Sequence, residues 1–415
     1  MPENEEARRP KNIVVFSDGT SADGGRGSNT NVYRLFNMAE DRTDKQITFY
    51  DQGVGTGLRR FTGAAFGRGF THNILECYRF IFDHYESGDR VYLFGFSRGA
   101  ATVRSLAGFI NMFGILPKSR PELIREAYKI YEKKDSKEEK LAAEERRAAT
   151  SVPPDLAVER QSKKGPSLRK QLAEASLEGG LDGRPMSKRQ RLARAFILRN
   201  HTMSCEIRFL GVWDTVAALG IPIRLVDIAI DTIWHHNFHD FTLSANVEHA
   251  CQALAIDDER KYFLPIVWDE PAPDQTMKQV WFCGMHSDVG GGGELADIPL
   301  AWMAAEAEKS GLLIWPHHEV PPLTYNPDGE MGDSRGGTFS RFYPKQIRSW
   351  DTGRRGRPAV HQSVKARTRN RHNEPGTKYD PWILNMKDEP KVEPWPPEQP
   401  GTVKITSSEP APTVR

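Results

Sequence analysis

Five short apolar segments, each running straight into a loop of small and polar residues, constrain this chain more than any other feature. They are Asn12–Phe16 (NIVVF, then SDGTSADGG), Gln46–Tyr50 (QITFY, then DQGVGTG), Arg90–Phe94 (RVYLF, then GFSRGA), Ile207–Val212 (IRFLGV, then WDTV) and Gln279–Cys283 (QVWFC, then GMHSDVGGGG). Runs of this kind, rich in Val, Ile and Phe, suit strands that are covered on both faces. Helical spacing lies between them, as in Thr71–Tyr85, where Ile74, Leu75, Tyr78, Ile81 and Phe82 share one side. Strand, polar loop and helix in repetition predict an α/β fold, doubly wound around a mostly parallel sheet. Sites in such sheets form beyond the carboxyl ends of the strands.

One domain is expected over residues 11–390, interrupted twice. Pro117–Asn200 holds 21 Lys or Arg against 13 Asp or Glu. It begins with helical spacing (ELIREAYKIYEKK) and continues as a charged, solvated stretch, so a helical and disordered basic insertion is expected. Its surplus charge would also suit peripheral contact with an anionic membrane or an acidic partner. Ile221–Phe241 is apolar and aromatic and lies beside the strand ends, which suits a lid or an acyl-contact segment as well as plain core packing. The Pro-rich stretch from Lys391 is expected to be a disordered tail. A net charge of only +2 argues against nucleic acid as a partner. Four scattered cysteines without a CxxC pair fit a reducing compartment. The charged N-terminus has no apolar core of a signal peptide, and no run is long enough for a transmembrane segment. A cytoplasmic location is the default expectation, with export open to a route that needs no N-terminal signal.

The segment Gly95–Ala100 (GFSRGA) places Ser97 in a G-x-S-x-G frame between the strand RVYLF and a helical run. That context is what a nucleophile elbow requires, and it turns the expected sheet into one of the α/β-hydrolase type. The serine takes a strained turn, the small neighbours let helix and strand pass closely, and the backbone N–H of Arg98 falls at the oxyanion position. A serine hydroxyl is a weak nucleophile until a base takes its proton, so a histidine and an acid should follow in the order Ser, acid, His. His286 directly follows the last recognisable strand; His361 is a weaker candidate, and His235, His236 and His239 lie in the apolar insertion. Asp214 ends a strand between Ser97 and His286, while Asp288 is a rival acid or a support for the loop. A second oxyanion donor is expected from Gly19 or Thr20 in SDGT.

Other chemistries find fewer partners. SDGT resembles the D-x-D-G-T of haloacid-dehalogenase-type phosphatases, but Phe16 stands where their nucleophile would be. Neither GVGTG nor the glycines after Val289 lead into the Lys-Ser or Lys-Thr of a P-loop. Asp18, Asp51, Asp214, Asp288 and His286 could converge as a divalent-metal site, although no spacing demands it; no metal and no cofactor is the expectation. The alternatives to a serine hydrolase are therefore a non-catalytic scaffold that binds through the basic insertion, and a metal-assisted hydrolase.

The segments VVFSDGT, YDQGVGTG, GFSRGA, FLGVWDTVAALG, ALAIDDERKYFLP, GMHSDVGGG and VHQSVKAR occur in this order over roughly Lys11–Arg367. Together they resemble the α/β-hydrolase-like family catalogued as domain of unknown function 2235, whose best-characterised members are type VI secretion phospholipase effectors. The resemblance implies a Ser-Asp-His triad at Ser97, Asp214 and His286, and esterase or phospholipase activity on a lipid or other acyl ester.

Overall fold

Ile13, Val14, Val15 and Phe16 are all without solvent exposure, as a strand covered on both faces requires. In the computed structural model the apolar runs form β1 (Asn12–Ser17), β2 (Gln46–Asp51), β3 (Arg90–Phe96), β4 (Ile207–Trp213) and β6 (Thr276–Phe282). A further strand, β5 (Val247–Ala255), lies between the last two. Four three-residue strands follow: β7 (Leu323–Tyr325), β8 (Ala359–His361), β9 (Lys391–Glu393) and β10 (Ile405–Ser407). The structure describes residues 9–19, 29–53, 63–133, 187–216, 242–269, 271–316, 322–336, 343–368, 378–394 and 405–407. Ile221–Phe241, the expected lid, lies outside them, as do Thr20 and most of the basic insertion.

Eight strands form one sheet in the order β2-β1-β3-β4-β5-β6-β8-β9, and every neighbouring pair is parallel. The order reverses at β1, which has β2 on one side and β3 on the other. The crevice beyond the ends of β1 and β3 is thus a topological switch point, the usual place for a site in such a sheet. β9 begins at Lys391, so pairing reaches into the stretch expected as a tail. Glu393 is fastened there by the Lys278 ammonium at 2.7 Å. β10 pairs with β7 in a separate two-stranded ribbon.

The helices include α1 (Asn31–Met38), α2 (Gly63–His84), α3 (Arg98–Phe113), α4 (Leu123–Tyr131), α5 (Lys188–Asn200), α6 (His286–Gly290) and α7 (Asp297–Lys309). One sheet face presents Val14, Phe16, Tyr92, Phe94 and Phe209 to Val32 and Leu35 of α1 and to Leu300, Met303 and Ala307 of α7. Strand alternation turns Ile13, Val15, Val91 and Leu93 to the opposite face, and α2 packs along β1 and β2.

The chain divides into two compact units. The one described above holds the sheet. The second comprises the described residues within Phe109–Cys205. There Phe109 and Phe113 pack with Tyr128 and Tyr131 of α4 and with Phe196 of α5. Ser187 and Gln190 close a reciprocal cap at the start of α5, so this part of the basic insertion is an ordered helix.

Candidate active site

β3 ends at Phe96 and α3 begins at Arg98, leaving Ser97 alone in the turn at φ +56°. A side chain in this left-handed region costs about 1–3 kcal/mol. The surrounding structure enforces it by close approach. A Cβ on Gly99 would lie 1.9 Å from the Ser17 carbonyl oxygen, and one on Gly95 2.5 Å from the Gly99 carbonyl oxygen. The first turn of α3 therefore rests directly on the backbone of β1. The Arg98 N–H opens this helix, where amide donors have no acceptor within the helix.

His286 is the first residue of α6, which starts just after β6. Its Nε2 lies 2.9 Å from Ser97 Oγ, and its Nδ1 lies 2.6 Å from Asp214 Oδ2. With the proton on Nδ1, the ring donates to Asp214 and offers Nε2 to the serine hydroxyl. Phe96 packs against one side of the imidazole at 4.6 Å, and Phe263 meets it edge-on at 5.4 Å. Its backbone N–H donates to Asp258. The site is apolar beside the ring and polar at both nitrogens.

Asp214 follows β4 in a second left-handed turn, at φ +38°, and is wholly buried. Its Oδ1 accepts from the Ala255 N–H at 3.0 Å. Both oxygens accept from Arg348, Oδ1 from Nη1 at 2.6 Å and Oδ2 from Nη2 at 2.9 Å. Burial alone would raise this carboxyl. The charge of Arg348 and the hydrogen bonds from His286 and Arg348 outweigh it and hold Asp214 well below the usual carboxylate range.

The remaining expectations fall as follows. Asp288, on α6, turns its carboxylate away from the His286 ring: Oδ2 accepts from the N–H groups of Met285 and Gly332, each at 3.0 Å. It shapes the loop, and burial raises it above the ordinary value. Gly19 lies beside Ser97, where a Cβ would be 3.5 Å from Ser97 Cβ. Its N–H, expected to face an oxyanion, instead donates to Asp18 Oδ1 at 2.6 Å. Asp18 also accepts from Tyr50 Oη at 2.7 Å, and Asp51 accepts from Ser17 Oγ at 2.8 Å and Asn73 Nδ2 at 2.9 Å. The five residues weighed as a metal site thus each serve separate hydrogen-bond partners, apart from the Asp214–His286 pair. Among the described residues no three His, Cys, Asp or Glu side chains gather as a metal site. His361 is buried against Phe282, and its Nδ1 serves Ser363 at the start of the short helix Gln362–Ala366; burial lowers it to about 3. His235, His236 and His239 lie outside the described residues.

Sequence reasoning missed Arg348 and the Asp258–Arg260 pair that flanks Phe263. Arg260 lies 3.6 Å above the Phe263 ring and is paired with Asp258 at 2.5 Å. ALAIDDERKYFLP carries these last three residues as a dense cluster, but nothing in it marks which carboxylate faces the histidine.

The family described as T6SS, phospholipase effector Tle1-like, catalytic domain matches residues 11–306. The chain is 34% identical over 140 residues to the uncharacterized protein YEL023C of Saccharomyces cerevisiae, covering 30% of this chain and 20% of that one. Two solved structures are also similar. One is an uncharacterized protein from Pseudomonas aeruginosa, with 17% identity, a TM-score of 0.35 and coverage of 74% of this chain and 46% of that one. The other is the Tle1 effector bound to the VgrG spike from the type 6 secretion system, with 16% identity, a TM-score of 0.31 and coverage of 68% and 51%. The chain spans about a fifth of the yeast relative's length and about half of each solved chain. By the match over residues 11–306, the chain belongs to the type VI secretion Tle1-like phospholipase effector family, through its catalytic domain.

Proposed function

We propose that this chain is a serine hydrolase cleaving carboxylic esters of lipids, with phospholipid acyl esters as the class its family points to. The observation that carries the reading is the hydrogen-bonded line from Ser97 Oγ through His286 to Asp214, at 2.9 and 2.6 Å. Ser97 attacks the ester carbonyl while His286 Nε2 takes the hydroxyl proton, and the buried Asp214 carboxylate stabilises the resulting imidazolium. The Arg98 N–H supplies one donor to the oxyanion, and the loop after β1, at Gly19 or Thr20, supplies the second. Use of the Gly19 N–H requires its bond to Asp18 to open. His286 then returns the proton to the departing alcohol, and a water activated by the same nitrogen releases the acyl group from Ser97.

Peripheral contact with anionic lipid through the basic segment belongs to the same proposal. Its support is the exposed row of Lys188, Arg191, Leu198 and Arg199 on α5, which pairs charge with an apolar side chain as interfacial helices do. A secreted location is the one that fits the family.

The test is incubation with vesicles of phosphatidylethanolamine and phosphatidylglycerol, with released fatty acid and lysophospholipid read by mass spectrometry. Fatty acid release by the wild-type chain, absent from Ser97→Ala, is the expected result. Equal release by both proteins, or none from vesicles or from soluble esters, rules the reading out.

A further inference from the structure

Arg348 is buried to 1% exposure, and its guanidinium makes four hydrogen bonds. Besides the two to Asp214, Nη1 donates to the Ala255 carbonyl and Nη2 to the Phe263 carbonyl, each at 2.6 Å. The stretch that delivers it is tied to the turn after β5: Lys261 N–H donates to the Pro344 carbonyl at 2.9 Å and Gln346 N–H to the Glu259 carbonyl at 2.8 Å. Arg348 thus reaches the acid of the site from beyond residue 306, where the family match ends.

We propose that Arg348 is a positioning residue of the hydrolytic site: its buried fork supplies the counter-charge of the Asp214 carboxylate and holds it in register, so that Asp214 keeps His286 turned toward Ser97. The proposal rests on the serine-hydrolase reading above. A wholly buried carboxylate facing only a neutral imidazole is driven to take up a proton. If that proton settles on His286, Nε2 becomes a donor and cannot accept from Ser97. If it settles on Asp214, the imidazolium formed during attack loses its counter-charge. Arg348 removes the need for the proton, because its positive charge is permanent and its planar fork matches both carboxylate oxygens. The two carbonyls it also touches fix the fork, so Asp214 cannot rotate away from Nδ1.

The other charged groups around His286 do not replace it. Asp258 accepts from the His286 backbone N–H and is itself paired with Arg260. Asp257 accepts from the Gly284 N–H and the Tyr379 hydroxyl. Among the described residues the ring also meets Ser97, Phe96 and Phe263, which carry no charge.

The test is the pH profile of kcat/KM for p-nitrophenyl butyrate in the wild-type chain, Arg348→Gln and Arg348→Lys, with circular dichroism melts to verify folding. In Arg348→Gln the acid limb should move upward by about one pH unit or more, because the His286–Asp214 pair loses the positive charge that opposes its uptake of a proton. In Arg348→Lys the limb should stay near the wild-type position while the rate falls, since charge remains but the fork is lost. A folded Arg348→Gln whose rate drops equally at every pH, with the limb unmoved, would reduce Arg348 to a packing role and overturn the proposal. Should Arg348→Gln fail to fold, the lysine variant decides: a limb displaced by a full unit despite the retained charge overturns it equally. Failure of the hydrolase reading looks different, because the wild-type chain would then give no profile and no Ser97-dependent labelling by a fluorophosphonate probe.

Discussion

Gly99→Ala tests the elbow by its packing. The added methyl would sit 1.9 Å from the Ser17 carbonyl oxygen, 2.4 Å from its carbon and 2.7 Å from the Asp18 carbonyl oxygen. Carbon and carbonyl oxygen tolerate about 3.3 Å, so helix and strand must separate by about 1.4 Å. Ser17 cannot yield easily. It lies at 0% exposure between two parallel partners, and its hydroxyl is tied to Asp51 at 2.8 Å. The movement therefore falls on the start of α3, and with it on Ser97. Overpacking of this kind costs about 1–3 kcal/mol, and backbone in the way places it at the upper end. A shift of about 1 Å at a reacting atom costs on the order of 100-fold in rate. The assay is the second-order rate of fluorophosphonate labelling together with the melting temperature. Gly353→Ala is the control, since its Cβ would meet only Asp351 Oδ1, at 3.4 Å. Wild-type labelling and melting in Gly99→Ala would refute the close approach of α3 to β1.

Asp214→Asn should lower ester hydrolysis by about three to four orders of magnitude, because the amide can hold His286 in the wrong tautomer. Asp288→Asn should leave labelling within several-fold and cost about 1–2 kcal/mol of stability through its two backbone partners; kinetics and melts of both variants separate the two roles. Stability should fall as pH drops from about 6.5 toward 3, by up to about 1.4 kcal/mol per unit from His361 alone. Burial keeps that residue neutral down to about pH 3, so over this range the unfolded chain takes up a proton that the folded chain refuses. Asp214 is depressed, so its contribution is full above its ordinary 3.8 and fades only below it; Asp18, Asp51 and Asp288 are raised and act in the opposite sense. The slope lost in His361→Asn, which keeps an N-cap acceptor, isolates this histidine in denaturant melts across pH.

The central strands and the three side chains that meet at the candidate site were legible because each signal is local. NIVVF and RVYLF need burial on both faces, and GFSRGA carries its strand, turn and helix within a few residues. β5 was not legible, because VEHACQALA interrupts its apolar run with Glu248, His249 and Gln252. Gln252 nevertheless sits in the core, its amide donating to the Ile266 carbonyl at 3.0 Å. β8 and β9 are three residues each and too short for periodicity to register. Arg348 lies 134 residues beyond Asp214, in an irregular stretch (KQIRSWD) where one arginine among many has no distinguishing neighbour. The choice between Asp214 and Asp288 is likewise a matter of side-chain direction, which spacing alone does not give.

A serine hydrolase requires Ser97 to be an activated nucleophile. Its most direct measurement is fluorophosphonate labelling of the full chain, followed by peptide mass spectrometry to locate the adduct. The expected result is a single adduct on the peptide carrying GFSRGA, lost in Ser97→Ala and slowed by at least a hundredfold in His286→Ala. An adduct elsewhere, or undiminished labelling of Ser97→Ala, would contradict it.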